Sequence, residues 1–241
     1  MKLFVVGTGP GTIENMTARA VDVINKCEIV VGYDFYIDQI RELTGGKKVI
    51  STGMTGEVER CTAAINEAIN GKNVCVVSGG DAGVYGMAGL VLELAQPYPE
   101  LEVEIIPGVT AACSAAAILG APLTHDFAAI SLSDRLTDWK IITLRLECAA
   151  KSDFIITLYN PASKTRKDYL KKACEIIMEH RLPQTPCGIV RSAGREGESK
   201  LILSLGELAL YEADMFTTVI IGNSMTKNIN GRLITPRGYN I

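Results

Sequence analysis

The chain has only two histidines, His125 and His180, far apart in sequence, and none of its seven cysteines forms a Cys-x-x-Cys pair. Zinc and iron–sulfur centres need clustered imidazoles or thiolates, so no metal site is expected. No stretch approaches the roughly 20 apolar residues that a membrane-spanning helix requires. The N-terminal MKLFVVGTGPG has an apolar run too short for a signal peptide, and no small-residue cleavage site follows it. An excess of positive charge is missing as well. Lys and Arg total 24 against 27 Asp and Glu, a formal net charge of −3, which attracts neither nucleic acid nor an acidic membrane. These absences together predict a cytoplasmic protein with no nucleic-acid or membrane partner. Its cysteines are then reduced and mostly buried: Cys27, Cys61, Cys75, Cys113, Cys148, Cys174 and Cys187.

What is present is a long apolar alternation of strands and helices. With 241 residues, 47% of them apolar, the chain is comfortable as two domains of about 110 residues each. In the first half KLFVV, CEIVVG, KKVIS, NVCVVS and VEIIP read as strands. Between them TARAVDVINKC, DFYIDQIREL, TGEVERCTAAINEAING and VYGMAGLVLELA read as helices. Thr17 and Thr55 are the expected N-caps, and Gly71 closes the third helix. Unbroken apolar strands between helices imply a parallel sheet covered on both faces. GAPLTHD is a Gly/Pro break and the expected junction between domains 1–120 and 121–241. Beyond it FAAISLS and DFIITLYN read as strands, TDWKIITLRLECAAK and SKTRKDYLKKACEIIMEH as helices. PCGIVRSA, KLILSLGEL and TTVIIGNS follow as three strands with no long helix between the first two, and AGREGESK reads as a hairpin. That spacing permits antiparallel pairing and a mixed second sheet. The expected class is α/β, two α/β domains, parallel and then mixed.

Three glycine clusters carry the chemistry. In FVVGTGPGT the glycines are Gly7, Gly9 and Gly11, and Thr12 stands where a dinucleotide fingerprint requires its third glycine. The next helix starts too late for its amides to meet a phosphate at these glycines. A dinucleotide turn, a plain strand-end turn and a loop lining a cleft for another ligand all stay open. SGGDAGVYGM places Gly79, Gly80 and Asp81 at the carboxyl end of the fourth strand, where open α/β sheets bind ligands. Asp81 suits a ribose hydroxyl or an amino group there, or a cap on the next helix. IPGVTAACSAAA ends the fifth strand and continues in small residues, which suits close helix packing or a flat ligand beside the backbone.

Taken in order and spacing, GTGPGT, SGGDAGVYG and IPGVTAA resemble the tetrapyrrole methyltransferase family over essentially the whole chain. MTGEVERCTAAI, SLSDRLTDW, LYNPASKTR and VRSAGREGE resemble its C(17)-methyltransferase branch, the ring-contracting enzymes of cobalamin synthesis. The resemblance implies S-adenosylmethionine as methyl donor, a tetrapyrrole substrate, an active site in a cleft between the two domains, and a homodimer. It assigns the methyl donor to Gly79, Gly80, Asp81, Val84, Tyr85, Thr110 and Ala111, and in the second domain to Tyr159, Asn160, Ala193 and Gly194. The GTGPG loop, with Gly9, Pro10 and Gly11, falls on the substrate side.

A substrate rich in acetate and propionate groups calls for cations near strand ends. Arg135, Lys164, Arg166, Arg191 and Arg195 are available, with Lys164 and Arg166 directly after the Tyr159–Asn160 turn. The ring contraction that the resemblance implies needs acid–base help. Asp134 and His125 are the candidate catalytic residues, and Ser131 and Ser133 the candidate hydrogen-bond donors.

Overall fold

The computed structural model describes residues 1–163 and 165–240. The chain divides into two compact units, Met1–Ala111 and Ala112–Ile241.

The first unit is built on five strands: β1 (Lys2–Gly7), β2 (Ile29–Tyr33), β3 (Lys48–Thr52), β4 (Val74–Ser78) and β5 (Glu102–Ile106). They pair in the order β3-β2-β4-β1-β5, and every pairing is parallel. Alternating side chains feed two cores. Leu3, Val5, Ile29, Val31, Val74 and Val76 meet α4 (Glu57–Ile69) and α5 (Ala88–Ala95) on one face. Val6, Val30, Cys75, Val77 and Ile106 meet α1 (Ala18–Lys26) and α2 (Asp34–Gln39) on the other. Apolar residues at both parities explain why these strands read as continuous apolar runs.

Local signals set most element ends. The Thr17 hydroxyl accepts from the Ala20 amide at 3.1 Å and starts α1. Gly71, at φ +86°, closes α4. Three expectations change, the first being that the helix expected over VYGMAGLVLELA starts only at Ala88. Thr55 is not the α4 cap; it sits at φ +78°, and Gly56 holds the cap position. DFYIDQIREL breaks into α2 and α3 (Arg41–Thr44), because Ile40 leaves helical geometry as its side chain enters the core.

All of α6 (Ala111–Leu119) but its first residue belongs to the second unit, and the two-residue strand β6 (Gly120–Ala121) follows it. Its main sheet contains β7 (Phe127–Ser131), β8 (Ile155–Tyr159), β9 (Pro186–Arg191), β10 (Ser199–Ser204) and β11 (Thr217–Ile221). The order is β10-β9-β11-β8-β7, with β7 and β8 parallel and the other pairings antiparallel. The mixed sheet is as expected. One face packs α7 (Trp139–Lys151), α8 (Tyr169–Met178) and α9 (Leu205–Leu208). The other packs Ala115, Ala116 and Leu119 of α6 against Ile155, Val190 and Ile220. A small third sheet joins β6 to β13 (Arg232–Ile234) and β13 to β12 (Lys227–Ile229).

Here too some boundaries move. The helix expected over SKTRKDYLKKACEIIMEH starts only at Tyr169, since Arg166 is turned back to bond Ser163. KLILSLGEL is strand only to Ser204, where a capping box with Glu207 opens α9. Among the described residues no helix is long and apolar enough to cross a membrane.

Candidate functional site

Parallel strands deliver their carboxyl ends to one edge of the first sheet, and β1 lies between β4 and β5. The three glycine clusters follow those three strands, so the topology makes them neighbours. Gly9 and Gly80 form a two-way backbone pair: the Gly9 amide donates to the Gly80 carbonyl at 2.9 Å, and the Gly80 amide to the Gly9 carbonyl at 2.8 Å. Both glycines have left-handed backbones, φ +70° and +71°. Gly7, Gly80 and Gly108 touch backbone to backbone. A Cβ on Gly108 would lie 2.2 Å from the Gly80 carbonyl oxygen and 2.7 Å from that of Gly7.

Asp81 fastens this assembly. Its Oδ1 accepts from the Gly83 amide at 2.8 Å and its Oδ2 from the Gly108 amide at 2.9 Å. The carboxylate therefore staples the GGD loop to the IPG loop and caps no helix; α5 starts at Ala88, after Met87. Beside it Val84 and Tyr85 are exposed, and Tyr85 adopts φ +53°. Thr110 and Ala111 are half-buried where α6 begins, and Gly11 is half-buried while Gly9 and Pro10 are buried. The Tyr36 ring lies against Gly79, where a Cβ would come within 2.3 Å of it. Tyr36 also packs with Tyr33 and Phe35 at centroid distances of 5.5 and 5.9 Å. The sequence reading missed this aromatic cluster, although DFY directly follows a strand.

In the second unit β7, β8 and β9 run in the same direction, so their carboxyl ends share an edge. Tyr159 and Asn160 end β8. The Tyr159 hydroxyl accepts from the Ala112 amide at 3.0 Å, and the Asn160 side chain donates to the Ser131 hydroxyl at 2.9 Å. Ser131 also accepts from the Ser133 amide at 3.2 Å. Arg166 reaches Ser163 through Nε at 3.0 Å, and Ser133 and Asp134 through Nη1 at 2.6 and 3.2 Å. Tyr169 donates to the second Asp134 oxygen at 2.6 Å, and Trp139 packs on the Tyr169 ring at 4.3 Å. The Tyr169 hydrogen bond, with smaller help from Arg166, holds the Asp134 carboxyl below the usual carboxylate range. The same bond, with the Asp134 charge, raises the Tyr169 phenol. Asp134 is thus an anion at neutral pH. Tyr169 and Trp139 are further residues the sequence reading did not single out; KDYLKK reads as a solvated helix face until Asp134 is brought to it.

Ala193 and Gly194 sit in the turn between β9 and β10, where the Gly194 amide donates to Glu198 at 2.7 Å. His125 is not brought together with Asp134. It is exposed before the start of β7, whereas Asp134 follows its end, five strand residues later. Arg135 is exposed beside the network, Arg191 is paired with Asp214 at 2.6 Å, and the half-buried Arg195 amide donates to the Ser192 carbonyl. Lys164 lies outside the described residues.

The family model for tetrapyrrole (corrin/porphyrin) methylases matches residues 2–209, and the chain belongs to that family. It is therefore a methyltransferase, and the dinucleotide reading of the opening loop falls. The chain is 48% identical over 240 residues to a probable cobalt-factor III C(17)-methyltransferase of Salmonella typhimurium, covering 99% of this chain and 100% of the relative. It is 41% identical over 246 residues to the precorrin-3B C(17)-methyltransferase of Sinorhizobium sp, covering 98% and 96%. The crystal structure of the methyltransferase CobJ matches with a TM-score of 0.90 and 35% identity, over 97% of this chain and 99% of that one. Some other relatives are longer, and the chain spans about half of their length.

Proposed function

We propose that the protein is an S-adenosylmethionine-dependent C-methyltransferase of corrin biosynthesis, acting at C(17) of cobalt-precorrin-3 or precorrin-3B with contraction of the ring. The observation that carries this reading is end-to-end agreement with a C(17)-methyltransferase at 48% identity, with both chains covered almost completely. Identity to the precorrin-3B enzyme is lower, 41%, which favours the cobalt-containing substrate.

The first unit's loops suit a sulfonium nucleoside. Exposed apolar faces at Val84 and Tyr85 stand beside the Asp81 carboxylate and side-chain-free backbone at Gly79 and Gly80. We assign the methyl donor to these residues with Thr110 and Ala111; the family resemblance extends the assignment to Tyr159, Asn160, Ala193 and Gly194. S-adenosylmethionine supplies an electrophilic methyl group when bound. An electron-rich ring carbon needs no strong base to accept it, so these residues bind, orient and exclude water. Holding donor and acceptor in near-attack geometry contributes about 7–11 kcal/mol.

The substrate's carboxylates are assigned to Arg166, Arg135 and Lys164, with Ser131 and Ser133 as hydrogen-bond partners and Gly9, Pro10 and Gly11 as the bordering loop. His125 and Asp134 are the acid–base candidates for the ring contraction; for Asp134, proton transfer is tested below against a role in orienting Arg166. We read the protein as a cytoplasmic homodimer, tested by light scattering.

Calorimetric titration with S-adenosylhomocysteine, and in parallel NADH, tests the cofactor. The expected result is micromolar binding of the first and none of the second. Mass-spectrometric detection of a 14-Da gain on cobalt-precorrin-3, about one methylene, tests the reaction. Binding of NADH alone, or no gain on either precorrin, overturns the reading.

A further inference from the structure

Arg166 is held more tightly than a surface cation needs to be. Its side chain is only 16% exposed, against 35% for its partner Asp134. Two serine hydroxyls and a carboxylate brace it through Nε and Nη1, while Nη2 makes no hydrogen bond to the described residues. A guanidinium fixed through Nε and Nη1 keeps its two Nη2 N–H groups to donate to a further anion. Asp134 is in turn fixed from α8 by Tyr169, whose ring is clamped by Trp139 of α7. Lys172 also lies near Tyr169, 5.3 Å above its ring, and is itself paired with Asp168 at 2.7 Å.

We propose that Tyr169 and Trp139 are positioning residues that act through Asp134 to lock the Arg166 guanidinium as a receptor for a side-chain carboxylate of the tetrapyrrole. The substrate class rests on the reading above; the receptor and its bracing rest on the geometry. Asp134 then serves as the orienter of Arg166. A carboxyl that stays ionised throughout the neutral range donates no proton there, and a weakly basic one removes protons poorly.

The test compares Tyr169→Phe, Asp134→Asn, Arg166→Lys and the milder Ser133→Ala in two assays. Fluorescence titration with uroporphyrin, an octacarboxylated macrocycle, reads binding without the methyl donor. Steady-state methylation separates KM from kcat. Arg166→Lys keeps the charge but loses the planar donor set that bonds Ser163, Ser133 and Asp134 while leaving Nη2 for the ligand, and weakens uroporphyrin binding about 10-fold or more. Tyr169→Phe and Ser133→Ala each weaken it about 3- to 10-fold, the range of one hydrogen bond, and raise KM more than they lower kcat. Tyr169→Phe also makes binding fail at a higher pH than in the wild type, because Asp134 has lost the bond that keeps it ionised. A merely structural role for Tyr169 would leave that pH profile in place.

Removing the Asp134 charge would by itself tighten anion binding. Tighter uroporphyrin binding by Asp134→Asn therefore overturns the orienting role. So does a loss in kcat of about 100-fold or more at unchanged KM, the mark of a general acid or base. Wild-type binding in all four variants refutes the receptor while methylation leaves the proposed function standing. Arg166-dependent porphyrin binding without methylation does the reverse.

Discussion

Adding one methyl group at Gly108 and the same group at Gly89 moves stability in opposite directions. At Gly108 the new Cβ meets three backbone atoms within 2.7 Å: the Gly80 oxygen at 2.2 Å and the Gly7 carbon and oxygen. Ordinary contact lies near 3.5 Å, so the strands' exits must part by about 1 Å. None of the three atoms belongs to a flexible side chain that could swing away. The shift pulls on the Gly9–Gly80 pair and on the Gly108–Asp81 bond, three hydrogen bonds of 2.8–2.9 Å. At about 0.5–1.5 kcal/mol each, their loss makes Gly108→Ala about 2–4 kcal/mol less stable. Gly89 lies in the first turn of α5, exposed, with nothing within 4 Å of its Cβ position. There alanine replaces a poor helix former, and Gly89→Ala gains about 0.5–1 kcal/mol. Urea titration monitored by circular dichroism reads both. Calorimetry with S-adenosylhomocysteine shows whether Gly108→Ala also loses the ligand. A Gly108→Ala protein with wild-type midpoint and affinity would refute the claim that three loops form one close-packed assembly.

Three other outcomes follow from the same geometry. Asp81→Ala frees the Gly83 and Gly108 amides together, so it lowers the urea midpoint as well as weakening S-adenosylhomocysteine binding about 10-fold or more, as expected for a lost charge-assisted pair; a binding loss at unchanged stability would mean the carboxylate contacts only ligand. In native protein at pH 8, Ellman's reagent should modify Cys113 and Cys148, both exposed, and spare the rest; burial pushes the Cys61 and Cys174 thiols up to about 11 and about 12. Rapid reaction of more than two thiols before denaturant is added would contradict the packing of both cores. Although partial burial raises the Asp214 carboxyl, bonds from Arg191, Thr217 and the Phe216 amide outweigh it and hold the group below its ordinary range. A depressed carboxyl contributes stability above its unfolded pKa and loses it as pH falls through the lower folded value. Asp214→Asn should therefore flatten the acid limb of the stability–pH curve, and an unchanged limb would refute the assignment.

Much of the fold was legible because its signals are local. Strands buried on both faces are apolar at both parities, and Thr17 and Gly71 mark helix ends by chemistry confined to one turn. The readings that changed depend on distant partners. Ile40 leaves its helix to reach a core built by β2 and β4, and the segment before Tyr169 stays unwound because Arg166 is bonded to groups 32 and 33 residues away. The Ser204–Glu207 capping box is local and written in S-L-G-E, but the apolar run KLILSL before it reads as continuing strand.

The candidate site divides along the same line. Glycines, a carboxylate and cations at strand ends could be found by type and order, and the family follows from their spacing. Sequence by itself determined the α/β class, the parallel first sheet and the methyltransferase family, because repeating apolar periods and clustered glycines are properties of neighbouring residues. Only the tertiary structure decided that Gly9 pairs with Gly80, that Asp81 staples two loops, and that Tyr169 meets Asp134 while His125 does not. Those contacts join residues 27 to 71 positions apart, and what joins them is the order in which the strands lie side by side, which no stretch of sequence contains.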